Sequence, residues 1–225
     1  MMTPSTIQQV IRHRRTEKVL AEVDSPYPID ASTAAVRRQS VVEAVQTAGM
    51  APFHFDRGVE EIAEPWRALI LGHEEARSLA RHLRDAMGVV SKEPNLLAGC
   101  GATVLVTWLP ECPSDLSAVT PGASSIAKLR CRDEEHLAAT GAMVQNLLLL
   151  LAAQAMGTYW SSGGKLGSTE VFDLLGIGSD ERLIAAVFIE YPEMMDQPAT
   201  RKAGSQRPKR SDRWIREVAS KVQEL

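Results

Sequence analysis

This 225-residue chain is short of several things, and each shortage narrows what it can be. It has three cysteines, Cys100, Cys112 and Cys131. The number is odd and no two form a CxxC pair. That argues against a disulfide frame or a zinc site and for reduced thiols in a cytoplasmic protein. An excess of charge of one sign is also missing. The net charge is −3, so no general affinity for nucleic acid or an anionic membrane surface is expected. Met1 to Thr6 leads directly into a polar stretch, with no charged-then-apolar targeting pattern. There is no repeat period, no P-loop, no GxGxxG after a strand, no GxSxG elbow and no HExxH. The five histidines are scattered and none stands at metal-ligand spacing with another ligand, so no metal is expected.

What is present is ordinary for a globular protein, 44% hydrophobic and 24% charged. The length is enough for one sizeable core, and residues 1–225 read as a single domain. The stretch that organises the rest runs from Glu135 to Gly164. From Leu137 to Met156 it is Ala, Leu, Met and Val on every helical face, which places it at the centre of a protein or in a membrane. Thr140, Gly141, Gln145, Asn146 and Gln154 interrupt it, so no run reaches the roughly 18 apolar residues of a membrane span. It reads as a buried central helix capped by Gly157. A short strand, Thr158 to Trp160, follows it. Next comes a loop of small residues, Ser161-Ser162-Gly163-Gly164, whose free backbone N–H groups a planar ligand could approach closely.

The remaining elements follow from period and punctuation. Helices are expected from Thr6 to about Arg15, capped by Ser5, and from Ala31 to Gly49, capped by Asp30. Residues 19–30, with Pro26 and Pro28, read as an extended connection. Strands are expected at 67–71, 102–108 and 183–191, and helices at 74–87, 169–175 and 214–222. The passage from Pro110 to Arg132 reads as a long irregular lid or arm. Residues 201–225 read as a basic tail with a closing helix. The order of elements implies an α+β fold, a mixed sheet wrapped by helices.

Two basic clusters carry potential chemistry: Arg14-Arg15-Thr16-Glu17-Lys18, and Arg207-Pro208-Lys209-Arg210. Each could be solvated surface. Each also has the groups a phosphate needs, guanidinium forks, a lysine point charge and, in the first, a hydroxyl. Phe53-His54-Phe55 could be a structural loop, and Trp160 a core residue.

Six motifs occur in order over most of the chain. They are Arg14-Arg15-Thr16 after the first helix, Ala48-Gly49-Met50-Ala51-Pro52 closing the second, and Pro65-Trp66 opening a strand. The Ala/Leu-rich helix ending in Gly157, Trp160-Ser161-Ser162-Gly163-Gly164, and Phe188-Ile189-Glu190-Tyr191-Pro192 complete the set. This resembles the nitroreductase family of flavin-dependent oxidoreductases, closest to its small-nitroreductase branch. The resemblance implies a three-layer sandwich with a mostly antiparallel sheet, and an intertwined homodimer with FMN at its interface. NAD(P)H would be the co-substrate, and a nitroaromatic, quinone or enone the electron acceptor. By resemblance Arg14, Arg15, Thr16 and Lys18 contact the phosphate, ribityl chain and pyrimidine edge of FMN, and Lys209 and Arg210, with Arg207 nearby, reach the phosphate. Trp160, Ser161, Ser162, Gly163 and Gly164 match the loop beside the flavin ring. Pro52, Phe53 and His54 match a segment contributed by the other subunit. No side chain is implied as an acid or base. The chain departs from the pattern in a longer, acidic 53–64 loop and in Ser161, where an arginine often follows the tryptophan. The same resemblance covers dehalogenating, desaturating and flavin-consuming relatives, and a flavin-binding sensor or scaffold.

Overall fold

The computed structural model describes residues 4–113, 123–197 and 199–217. In chain order they form α1 (Pro4–His13), β1 (Glu17–Leu20), α2 (Ala31–Ala48), β2 (Trp66–Gly72), α3 (His73–Arg81), α4 (Glu93–Gly99) and β3 (Ala102–Trp108). There follow α5 (Ala123–Ala153), β4 (Gly157–Ser161), α6 (Thr169–Leu175), β5 (Arg182–Glu190) and β6 (Thr200–Ala203). Four strands make an antiparallel sheet in the order β2-β3-β5-β4.

Strand alternation divides the core in two. Ala102, Val104 and Val106 of β3 and Ala185, Val187 and Ile189 of β5 face α2 and α5. Leu105, Ala186 and Phe188 point the other way, to a cluster with Leu79 of α3, Leu97 of α4 and Val171 of α6. Helices on both faces make the expected three layers. All seven positions of β3 are buried, which is why its sequence is continuously apolar rather than alternating. The β3–β5 register slips between Val106 and Thr107, passing from Ala185 to Leu183 and leaving Ile184 as the extra residue. Such bulges re-aim neighbouring side chains.

Several sequence expectations need correction. The Pro110–Arg132 passage is not irregular throughout, because α5 is already helical from Ala123. Residues 114–122 lie outside the description. The polar run before β3 contains α4, whose Pro94 sits at the helix start where a missing N–H costs nothing. Ser5 lies within α1 rather than before it. Part of the supposed extended connection at 19–30 belongs to β1, which pairs antiparallel with β6, Glu17 opposite Ala203 and Leu20 opposite Thr200. A single parallel bridge, Thr16 to Thr158, joins this ribbon to the edge of the main sheet. Residues 214–217 are not helical, and the rest of the expected closing helix lies outside the described residues.

The cap of α5 also differs. Met156 N–H bonds Leu151 C=O at 3.0 Å and Ala155 N–H bonds Ala152 C=O at 3.1 Å, a Schellman closure. The left-handed residue it requires is Ala155, at φ 59°, not Gly157. Gly157 has another reason to be glycine: a Cβ there would stand 3.1 Å from Glu190 Oε2, the carboxylate opposite it on β5. The α5 stretch Ile126–Ala153 is long and apolar enough to cross a membrane. Its inner positions, Met143, Val144, Leu147 and Leu151, are packed in the core.

Candidate functional site

The site begins where α1 ends. Arg14, Arg15 and Thr16 lie between α1 and β1, Lys18 is on β1, and pairing of β1 with β6 brings the tail beside them. Gly204 N–H continues the ladder onto Thr16 C=O at 2.8 Å. The chain then turns through Arg207–Lys209. A cavity of about 550 Å³ results, lined by Arg14, Arg15, Thr16, Glu17, Lys18, Tyr159, Trp160, Gly204 to Gln206, Arg207 and Arg210. Two basic clusters almost 200 residues apart thus share one cavity.

One carboxylate among its lining residues, Glu17, stands against the cations Arg14, Arg15, Lys18, Arg207 and Arg210. Among the described residues no carboxylate forms an ion pair with Arg14, Arg15, Arg207 or Arg210. Burial lowers the Arg14 pKa, and so do the charges of Arg207, Arg210 and Arg15. Arg207 is lowered by loss of water and by Arg15 and Arg210. Four guanidiniums gathered at one cavity form an anion-binding arrangement. Part of the gathering has a local cause. Arg15 Nη1 donates to Arg12 C=O at 2.6 Å and His13 C=O at 2.9 Å, and Arg207 donates to Arg14 C=O at 2.5 Å and also to Arg12 C=O. These are orphan carbonyls at the negative end of α1.

A second cavity of about 550 Å³ adjoins the first and shares Arg14, Thr16 and Trp160 with it. Its other walls are Gln145 and Leu148 of α5, Ser162, and the bulged Ile184. Trp160 is 37% exposed, and its indole N–H donates to Ile184 C=O at 3.2 Å. Lys18 Nζ lies 4.8 Å over the Tyr159 ring, and that ring stacks on Phe188. One side of the combined space is therefore cationic and the other aromatic and apolar.

Other expected residues stand elsewhere. Ser161 accepts a bond from Gly163 N–H at 3.2 Å, so this N–H is not free for a ligand. Gly163 and Gly164 have φ of 93° and 53°, and side chains there would meet Leu183 and Glu93, so a tight turn already requires both glycines. Lys209 is exposed and lines neither cavity. Pro52 is exposed, Phe53 packs edge-on against Trp66 with centroids 5.6 Å apart, and His54 Nδ1 pairs with Glu135 at 3.1 Å. None of these three lines the cavities of its own chain. Sequence reasoning missed Tyr159, Gln145, Ile184 and the 204–206 turn. Gln145, a polar residue inside an apolar helix, was the one available signal. Among the described residues no His, Cys, Asp and Glu cluster could hold a metal.

Comparison with known proteins bears on the family and the fold. The sequence model of the nitroreductase family matches residues 31–189. The chain is 26% identical over 194 residues to the Bacillus subtilis (strain 168) protein YfhC, provisionally named an NAD(P)H nitroreductase, covering 84% of this chain and 86% of that one. In structure it is similar to a nitroreductase-like family protein from Bacillus cereus, with a TM-score of 0.57 at 19% identity over 94% of this chain and 97% of that one. A BluB-like flavoprotein from Clostridium difficile 630 superposes with a TM-score of 0.57 at 16% identity, over 97% and 100% of the two chains. A nitroreductase-type protein from Desulfovibrio desulfuricans, solved in complex with FMN, gives 0.53 at 18% identity over 85% and 88%.

Proposed function

Because this chain belongs to the nitroreductase family, we propose that it is an FMN-dependent oxidoreductase that takes hydride from NADH or NADPH and reduces a nitroaromatic, quinone or enone. The observation that carries the proposal is the pair of adjoining cavities, with four guanidiniums that no carboxylate pairs among the described residues at one end and Trp160, Ile184 and Leu148 at the other. A ligand with a dianionic end and a planar, largely apolar end fits that division. The FMN-bound Desulfovibrio relative and the name of the Bacillus subtilis relative support the choice of flavin and nicotinamide.

Arg14, Arg15, Arg207 and Arg210 would hold the phosphate, with the Thr16 hydroxyl beside them and Lys209 at the rim. Bound FMN supplies the two-electron redox chemistry, and the protein binds, orients and tunes it. Lys18 would supply positive charge to offset the negative charge of the reduced ring. Ser162 and the rigid Gly163-Gly164 turn, with Ser161 behind it, fix the wall against which the ring would lie. No side chain of the chain need act as an acid or base.

The chain would work in the cytoplasm as one flavin-binding domain and as a homodimer. An apolar groove of about 270 Å³ between α1 and α5 is lined by Ile7, Val10, Leu149, Leu150 and Ala153, and Ile7 and Ile11 beside it are 49% and 48% exposed. Apolar surface of this kind marks an interface. Pairing there would let Pro52, Phe53 and His54 serve the partner's site rather than their own.

The test is steady-state kinetics with FMN-loaded protein, varying nicotinamide and acceptor together. Reduced nicotinamide and acceptor occupying one place in turn give parallel double-reciprocal lines, the ping-pong pattern. Absence of nicotinamide oxidation with any acceptor would refute the proposal.

A further inference from the structure

A half-buried ion pair joins β6 to the end of β5, on residues that the flavin reading leaves without a role. Glu190 ends β5 with its side chain 2% exposed, and its Oε1 accepts from Arg201 Nη2 at 2.5 Å and from Arg201 Nε at 3.1 Å. Its Oε2 is buried with no bond among the described residues. Burying a carboxylate is costly unless it is paired, and Arg201 is its only ion-pair partner among the described residues. Gly157, directly opposite, leaves the room this carboxylate occupies.

Arg201 sits on β6, which contacts the body of the protein through β1 alone as a strand partner. Its guanidinium donates further to Met194 C=O and Gln197 C=O, each at 3.1 Å. The fork therefore fastens the ribbon to the end of the main sheet. The chain continuing from that anchor carries Arg207 and Arg210 into the cavity, against the repulsion of Arg14 and Arg15. Gly204 and Arg207 bond the backbone of Thr16, Arg14 and Arg12 further along, and the Glu190–Arg201 fork anchors the arm upstream of them, at the point where it leaves the body of the protein.

We propose that Glu190 and Arg201 are positioning residues that hold the Thr200–Arg210 arm in place, so that Arg207 and Arg210 meet the phosphate of the bound ligand. This inference rests on the flavin reading. The pair touches no ligand itself. It sets the entropy lost when the arm closes on phosphate, and so affects the phosphate end of a ligand and not its ring.

The test compares FMN with riboflavin, which shares the ring and ribityl chain and lacks the phosphate. Binding of both to the full-length protein is followed by quenching of flavin fluorescence. The variants are Glu190→Gln/Arg201→Met, which removes both charges and leaves none buried alone, and the conservative Arg201→Lys. With two charge-assisted contacts at stake, the double variant should lose about tenfold or more in FMN affinity. Its riboflavin affinity should stay within about twofold, and Arg201→Lys, which keeps the charge but not the fork, should fall between. Equal losses for FMN and riboflavin would reduce the pair to general stability and overturn the inference, as would an unchanged FMN affinity. Wild-type protein that binds riboflavin and FMN equally would sink the inference alone. Wild-type protein that binds neither would sink the flavin reading, and the inference with it.

Discussion

Ala155 holds a left-handed backbone at φ 59° to close the Schellman turn of α5. A non-glycine residue pays roughly 1–2 kcal/mol for that conformation, part of which glycine returns through its greater freedom in the unfolded chain. Ala155→Gly should therefore stabilise the fold by about 0.5–1 kcal/mol, read as a higher denaturant midpoint at unchanged slope. Gly157→Ala should do the opposite, since its Cβ crowds Glu190. Sequence reasoning put the cap at Gly157 because glycine is the usual residue there. The structure uses glycine two positions later for side-chain room, a requirement that depends on a residue 33 positions away and is invisible locally. By contrast Asp30 was legible, since a cap needs only its own helix: its carboxylate accepts Thr33 N–H at 2.8 Å. Cys100 makes a second residue-scale case. Burial pushes its thiol up to about 11 from an ordinary 9.0. Below pH 9 both folded and unfolded thiols are protonated. Between pH 9 and 11 the unfolded chain loses its proton first, so stability falls as pH rises. The two-unit window corresponds to roughly 2–3 kcal/mol. Chemical unfolding across that range should show a shallower decline in Cys100→Ala than in wild type, and parallel curves would contradict the assignment.

Among the elements, the 53–64 loop is drawn tight where the sequence suggested only length and acidity. Glu60 and Glu61 both have positive φ, 58° and 63°, between the bridged residues Val59 and Ile62. That is the backbone of a type I′ turn, which Asn-Gly adopts with least strain. Glu60→Asn/Glu61→Gly should raise the unfolding free energy by about 1–2 kcal/mol, and a lower melting temperature would refute the turn. The strands β3 and β5 were readable because buried strands announce themselves as continuous apolar runs, and β2 because Pro65-Trp66 opens an apolar stretch. The ribbon was not. Glu17-Lys18-Val19-Leu20 and Thr200-Arg201-Lys202-Ala203 carry no clear alternation, and their pairing exists only because the chain ends meet. For the candidate site the arginine clusters were visible separately, but their convergence depends on that ribbon. Likewise Ile184 enters the cavity through a bulge that no pattern marks.

For the whole molecule, α5 is apolar on every face from Leu137 onward, and the chain itself covers only part of that surface. The sheet and α2 take Val144, Leu147 and Leu151. Leu149, Leu150 and Ala153 are left along the groove with α1, the face assigned to a second copy. Leu150→Glu should convert the protein to monomer in sedimentation velocity and weaken FMN binding at the same time, because the residues around His54 would no longer reach a partner's site. A wild-type monomer that binds FMN tightly would contradict this arrangement.

The central claim is that the paired cavities hold FMN and pass it electrons from a reduced nicotinamide. It is tested most directly by loading the purified protein with FMN, desalting it, and recording its absorbance anaerobically before and after NADH or NADPH. The account predicts a retained flavin band that bleaches with at least one of the two. A protein that emerges colourless would contradict the site, and a retained band that neither nicotinamide bleaches would contradict the reaction.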